Sequence, residues 1–137
     1  MARRDATDRA RTVDELLDDA RGRFTRLSAT EACARLDDGA VLVDVRTESQ
    51  RAAGGEIPGA LVIALNHLEW RLDPRSVHRV DAASDHDVEV IVLCQEGYSS
   101  SLAAARLHDL GLHRATDVIG GFDAWRRAGL PVTGGAG

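Results

Sequence analysis

Two stretches of this chain, Ala40-Val-Leu-Val-Asp-Val45 and Val88-Glu-Val-Ile-Val-Leu93, are nearly unbroken runs of apolar, mostly β-branched residues. A strand with one face in water alternates polar and apolar residues, whereas a strand covered on both faces does not. Both runs therefore predict central strands of a parallel sheet. Parallel strands need crossover connections, and helices on both faces are the usual solution.

The segments between and around the two runs supply those helices. Thr12 with Glu15 forms a capping box ahead of Val13, Leu16, Leu17 and Ala20, which share one helical face. Ser28 with Glu31 forms another, opening a helix that carries Ala32, Cys33 and Leu36 and stops at Gly39. Residues 99–110 place Leu102, Ala103, Leu107 and Leu110 on one face, with Gly111 at the end. Residues 122–128 read as a last helix, and 67–72 as a short one closed by Pro74. Further strands are expected at 61–65 and 115–119, turns at 54–59 and 120–121, and a loop over 75–87. Residues 1–11 are polar and expected to be frayed. The whole pattern alternates strand and helix, an α/β fold.

With 137 residues there is room for one compact domain and not for two of ordinary size. A formal net charge of −5 argues against a nucleic-acid surface, which needs a basic face to neutralise phosphates. All 17 basic residues are Arg, a bias that suggests a GC-rich bacterial genome. Two cysteines, Cys33 and Cys94, and five histidines show no metal-ligand spacing, so no metal site is expected. No window is apolar enough for a membrane span and the acid-interrupted start does not read as a signal peptide, which together predict a cytoplasmic protein with reduced thiols.

Cys94 stands where chemistry is expected. Sheets of this kind bind ligands beyond the carboxyl ends of their strands. The strand ending at Leu93 delivers Cys94, the loop Gln95-Glu96-Gly97-Tyr98 turns the chain, and a helix starts near Ser99. Gly97 permits backbone conformations that strain other residues. The successive N–H groups of Gln95, Glu96, Gly97, Tyr98, Ser99 and Ser100 can then curl round one point as an anion cradle, reinforced by the helix N-terminus. A helix dipole at an exposed end contributes about 0.3–1 kcal/mol, well under one pKa unit, so a reactive thiolate would depend on the converging N–H bonds. The bland alternative is a buried Cys that merely fills space at a strand end.

Residues 27–132 resemble the rhodanese homology domain. The matching pieces are Val43-Asp-Val-Arg46, Gly55-Glu-Ile-Pro-Gly-Ala60, Ile91-Val-Leu-Cys-Gln-Glu-Gly-Tyr-Ser-Ser100, Gly120-Gly-Phe-Asp-Ala-Trp125 and Gly129-Leu-Pro131, in that order. The resemblance implies a rhodanese-like fold, with a five-stranded, mainly parallel sheet and helices on both faces. It divides the chain into an N-terminal extension over 1–26, the domain over 27–132 and a flexible tail over 133–137. It implies sulfur transfer through a persulfide on Cys94, needing no cofactor. The partners would be a small-molecule sulfur donor and a thiol or protein sulfur acceptor.

Two departures from the family pattern bear on substrate. The family often has Arg where this chain has Ser99, and the loop carries Glu96, so its side chains are net acidic. Both disfavour a dianion such as thiosulfate by Coulomb repulsion, so weak thiosulfate activity is expected, with a preference for a less charged donor. Glu56 stands where the family more commonly has His. By resemblance Asp44 and Arg46 support the loop, with Arg46 a candidate source of the missing positive charge; a structural ion pair is the plainer reading.

The remaining candidates divide between site and scaffold. Tyr98 lines the mouth or lies on the surface. One of Ser99 and Ser100 is expected to cap the helix, the other remaining free to face the sulfur. Trp125 and Cys33 are expected to be packing, and Gly120-Gly121 a tight turn. His67 and Trp70 fall in a variable segment where a lid or a partner surface is conceivable. The competing functions are a non-catalytic binding or regulatory module and, with less support, a phosphatase or arsenate reductase, which would use an Arg in the loop that is missing here.

Overall fold

The structure is a computed structural model that describes residues 8–135, so residues 1–7 of the expected frayed start over 1–11 lie outside it. Helices α1 (Val13–Arg21) and α2 (Ala29–Asp37) lead into strand β1 (Val41–Asp44). Helix α3 (Glu48–Gly54) and strand β2 (Leu61–Val62) follow. A 3₁₀ turn at Leu65–His67 runs into α4 (Leu68–Leu72). Then come β3 (Val90–Leu93), α5 (Ser99–Asp109), β4 (Thr116–Asp117) and α6 (Gly121–Arg127).

The sheet has four strands in the order β2-β1-β3-β4, all parallel. Five were expected. The fifth place, beside β4, is held by one bridge between Leu27 and Val118. Leu27 donates to the Asp117 carbonyl at 3.1 Å and its own carbonyl accepts from Ile119 at 2.8 Å. The chain then passes through the cap Ser28 into α2, which leaves length for a single pairing.

The two apolar runs form the central strands β1 and β3, paired from Val41↔Val90 to Asp44↔Leu93. Their period of two distributes side chains to two cores. Val43, Val45, Val90, Val92 and Cys94 face a layer with Leu68, Leu72, Ala104 and Leu107 of α4 and α5. Leu42, Ile91 and Leu93 face the other layer, with Ala29 and Ala32 of α2 and Phe122 and Trp125 of α6. Burying a Val, Leu or Ile side chain stabilises by about 1.5–3 kcal/mol, so these four-residue strands are held by their covered faces rather than by length. The same alternation points the Cys94 side chain to the α5 side.

Both expected capping boxes are present, Thr12 with Glu15 and Ser28 with Glu31. Leu17 and Ala20 of α1 are buried, and the helix packs along α5. Val13 and Leu16, expected on the same face, are exposed, so only the later part of that face is covered. No element was expected over 46–53, and α3 covers Glu48–Gly54, taking in the first residue of the expected 54–59 turn. This helix buries no residue, so no apolar periodicity marks it; its sequence signal is the Thr47–Gln50 capping box. Thr133, in the expected tail, exchanges two 2.8 Å backbone hydrogen bonds with Glu56. No helix among the described residues is long and apolar enough to cross a membrane.

Candidate active site

β3 ends at Leu93 and places Cys94 at the carboxyl edge of the sheet, 6% exposed. The following loop is shaped by what holds its carbonyl groups. The Cys94 carbonyl accepts from the Phe122 N–H at 2.8 Å, and the Gln95 carbonyl from the Asp123 N–H at 3.1 Å. The Gln95 side-chain amide donates to Asp123 Oδ1 at 2.7 Å. The Gly97 carbonyl accepts from two guanidinium groups, Arg21 Nη2 at 2.8 Å and Arg26 Nη2 at 3.0 Å. With its peptide bonds trans, each carbonyl points away from the N–H of the next residue. Tying three carbonyls to the outside leaves the amides of Gln95, Glu96 and Tyr98 on the opposite sides of their peptide planes.

The Gly97 N–H donates to Cys94 Sγ at 3.1 Å. The N–H groups of Gln95, Glu96, Tyr98, Ser99 and Ser100 have no backbone acceptor among the described residues. Gly97 is required twice over. Its φ is +90°, and a Cβ there would stand 2.8 Å from the Gly120 nitrogen. Gly121 is needed for the same reason from the other side, since a Cβ would collide with the Cys94 carbonyl oxygen. The Gly120-Gly121 turn is thus what lets α6 close on the loop.

Burial pushes the Cys94 thiol up. Hydrogen bonds from the Ser100 hydroxyl and N–H, the Ser99 hydroxyl and the Gly97 N–H outweigh it, and the thiol lies below its ordinary value. The single proton of the Ser100 hydroxyl is contested, however, because Asp117 Oδ2 takes it at 2.8 Å. The geometry therefore puts the lowering on the two amides and the Ser99 hydroxyl. Neither Ser caps α5: the N-cap is Tyr98, without a side-chain cap bond, and the hydroxyls of Ser100 and Ser101 both go to Asp117.

A cleft of about 920 Å³ opens over Cys94. Its apolar wall includes Val45, Val62, Ala64, Leu65 and Tyr98. Its charges come from Glu48, Glu96, Arg46, Arg51 and Arg106, and each of these three arginines already has an acid: Asp44 at 2.8 Å, Glu56 at 2.9 Å and Glu69 at 3.6 Å. Arg46 is buried, stacks 3.8 Å over the Phe122 ring and donates to the Gly55 carbonyl at 2.8 Å. Its route to the loop runs through Phe122, whose amide holds Cys94. The remaining side chains fall as follows. Tyr98 is 57% exposed at the cleft mouth. Trp125 is buried with its indole N–H on the Pro131 carbonyl at 2.9 Å. Cys33 packs against the α2–α6 core, while Trp70 and His67 are exposed outside the cleft lining. Arg21, Arg26 and Asp117, unmarked by any motif, were not among the sequence candidates. Their relation spans 71 to 91 residues of chain, and no local pattern announces it.

The family model of the rhodanese-like domain matches residues 28–128. The chain belongs to the rhodanese-like family. Among its relatives is the thiosulfate sulfurtransferase GlpE of Pseudomonas entomophila, 37% identical over 75% of this chain and 85% of that protein. The GlpE of Haemophilus influenzae strain PittEE is 32% identical over 80% of this chain and 94% of that protein. A solved protein of unknown function from Rhodopseudomonas palustris, described as a possible tyrosine phosphatase, superposes with a TM-score of 0.81 at 31% identity, covering 90% of this chain and 96% of that one. The rhodanese-like match begins at residue 28, so α1, Arg21 and Arg26 lie ahead of it.

Proposed function

We propose that this protein is a sulfurtransferase whose Cys94 carries a sulfane sulfur as a persulfide. The observation that carries the reading is the Gly97 N–H, 3.1 Å from Cys94 Sγ, in a loop whose carbonyls are bonded away from it by α6, Arg21 and Arg26. Such a cradle lowers the energy of an anion before and after the chemical step. In the first step the Cys94 thiolate attacks the outer sulfur of a donor. The donor's S–S bond breaks, its inner group leaves with the electron pair as sulfite or a thiolate, and a Cys94 persulfide anion remains. In the second step an acceptor thiolate attacks the terminal sulfur and the Cys94 thiolate is restored. This is double-displacement covalent catalysis. Gln95, Glu96, Gly97, Tyr98, Ser99 and Ser100 form the cradle, and Asp44 with Arg46 supports it through Phe122.

The names of the relatives bring thiosulfate into consideration as donor. The cleft favours a larger and less charged one. Ser99 brings no cation, Glu48 and Glu96 line the wall, and each cleft arginine is engaged by an acid. A volume of about 920 Å³ is at the upper end for small-molecule sites, of which thiosulfate would fill a small part. An organic persulfide with a thiol or protein acceptor fits the apolar wall better, and the cytoplasm is the compartment in which the thiol stays reduced. Phosphoryl transfer is disfavoured because the cations nearest the loop, Arg21 and Arg26, bind its outer carbonyl rather than the cradle.

Intact-protein mass spectrometry after exposure to an organic persulfide tests the reading. Wild type gains one sulfur atom and releases it to added thiol; Cys94→Ser gains none. A wild-type protein that stays unmodified would leave only the non-catalytic module.

A further inference from the structure

The segment ahead of the family match reaches the loop from behind. Arg21, the last residue of α1, and Arg26, in the link to α2, both donate to the Gly97 carbonyl. Arg21 Nε also donates to Ser101 Oγ at 3.0 Å. Arg26 grips Asp117 with Nε on Oδ1 at 2.8 Å and Nη2 on Oδ2 at 3.1 Å. Asp117 is fully buried and takes the hydroxyls of Ser100 and Ser101 as well, at 2.8 and 2.7 Å. Arg21, Arg26 and, at 3.4 Å, the Ser101 hydroxyl thus meet on one peptide unit, with Asp117 and Ser100 bonded to them behind it.

That unit is the one between Gly97 and Tyr98. Two cations on its oxygen polarise it, which makes the Tyr98 N–H on its opposite side a stronger donor. The Asp117 carboxylate cancels one of the two positive charges, and Arg21 makes no ion pair among the described residues. One positive charge is left behind the loop. We propose that Arg21 and Arg26 are positioning residues for Cys94: they pin the Gly97 carbonyl to the rear, aim the Tyr98 amide at the sulfur and supply from behind the charge that Ser99 does not supply from within. The proposal rests on the reading of Cys94 as a sulfur carrier, and it gives the segment before residue 28 a part in that chemistry.

The test compares full-length proteins in a Cys33→Ser background, following iodoacetamide alkylation of Cys94 against pH. Arg21→Gln removes the uncompensated charge and one bond to Gly97. Its alkylation midpoint moves up by about half a unit to one unit, a roughly three- to tenfold smaller thiolate fraction at pH below the midpoint, and Arg21→Lys restores part of the shift. Arg26→Gln combined with Asp117→Asn removes both charges of the pair, so no lone ion is stranded, and its midpoint rises through the lost bond to the Gly97 carbonyl. Midpoints equal to wild type in Arg21→Gln and in the double variant, with native circular dichroism, overturn the proposal and leave the arginines as scaffold. Persulfide loading of wild type is measured alongside. If loading fails while the midpoints shift, the sulfur-carrier reading falls and the positioning role stands.

Discussion

At the scale of single residues, the site depends on Gly97 more than on any side chain of the loop except Cys94. An added methyl at Gly97 meets both a left-handed backbone, costing about 1–2 kcal/mol, and the Gly120 nitrogen at 2.8 Å. Gly97→Ala is therefore expected to lower persulfide loading at least about tenfold, each 1.4 kcal/mol being one decade, and stopped-flow loading kinetics check it. Ser99 is the opposite case, an exposed position on the cleft where a cation can be added without repacking. Two unit charges about 4 Å apart in water attract by about 1 kcal/mol. Ser99→Arg should then raise kcat/KM for thiosulfate about five- to tenfold while changing that for an organic persulfide little. No gain with thiosulfate would show that charge does not set donor choice. Sequence reading reached Cys94, its loop and the absent Arg from a run of seven residues. It expected one of Ser99 and Ser100 to cap the helix, and neither does, because the acceptor that claims Ser100, Asp117, lies 17 residues further on.

At the scale of elements, α6 and the Asp44–Arg46 pair act as one support. Arg46 bonds Asp44 through Nε and Nη2 and lies on Phe122, and the amides of Phe122 and Asp123 hold the first two loop carbonyls. Removing one partner of a buried ion pair strands the other, at about 3–5 kcal/mol. Arg46→Met should lose roughly that much in urea denaturation, and Arg46→Met with Asp44→Asn less than the sum of the two single changes. Additive losses would mean that the pair is not coupled. These elements were legible to different degrees for physical reasons. β1 and β3 are covered on both faces and show unbroken apolar runs. α1 and α2 open on capping boxes. α3 buries nothing and carries no periodicity, while β2 and β4, two residues each, were expected longer because apolar residues, of which Ile63, Ala115 and Val118 are buried, continue past the paired positions.

At the scale of the whole molecule, the chain folds so that three distant segments meet behind one loop: α6, the α1–α2 link and β4. The two-core division could be read from the sequence, since it follows from the period of the strands, but the meeting of Arg21, Arg26 and Asp117 could not, being a property of the assembled sheet. A consequence concerns pH. Because the folded thiol lies below its ordinary value, the ionised form is favoured by the native state, so the ascending limb of kcat/KM levels off below the pH at which a free cysteine ionises. The same sign holds for stability: the contribution is present above the unfolded thiol pKa and is lost as pH falls through the folded one.

The measurement that bears most directly on the cradle is an NMR pH titration of the backbone amides from Gln95 to Ser100 in the Cys33→Ser protein. The Gly97, Tyr98 and Ser100 amides are expected to shift together with one midpoint below that of a free cysteine, and Cys94→Ser to abolish the transition. Amides that do not respond to Cys94, or a shared midpoint at or above the free-cysteine value, would contradict it.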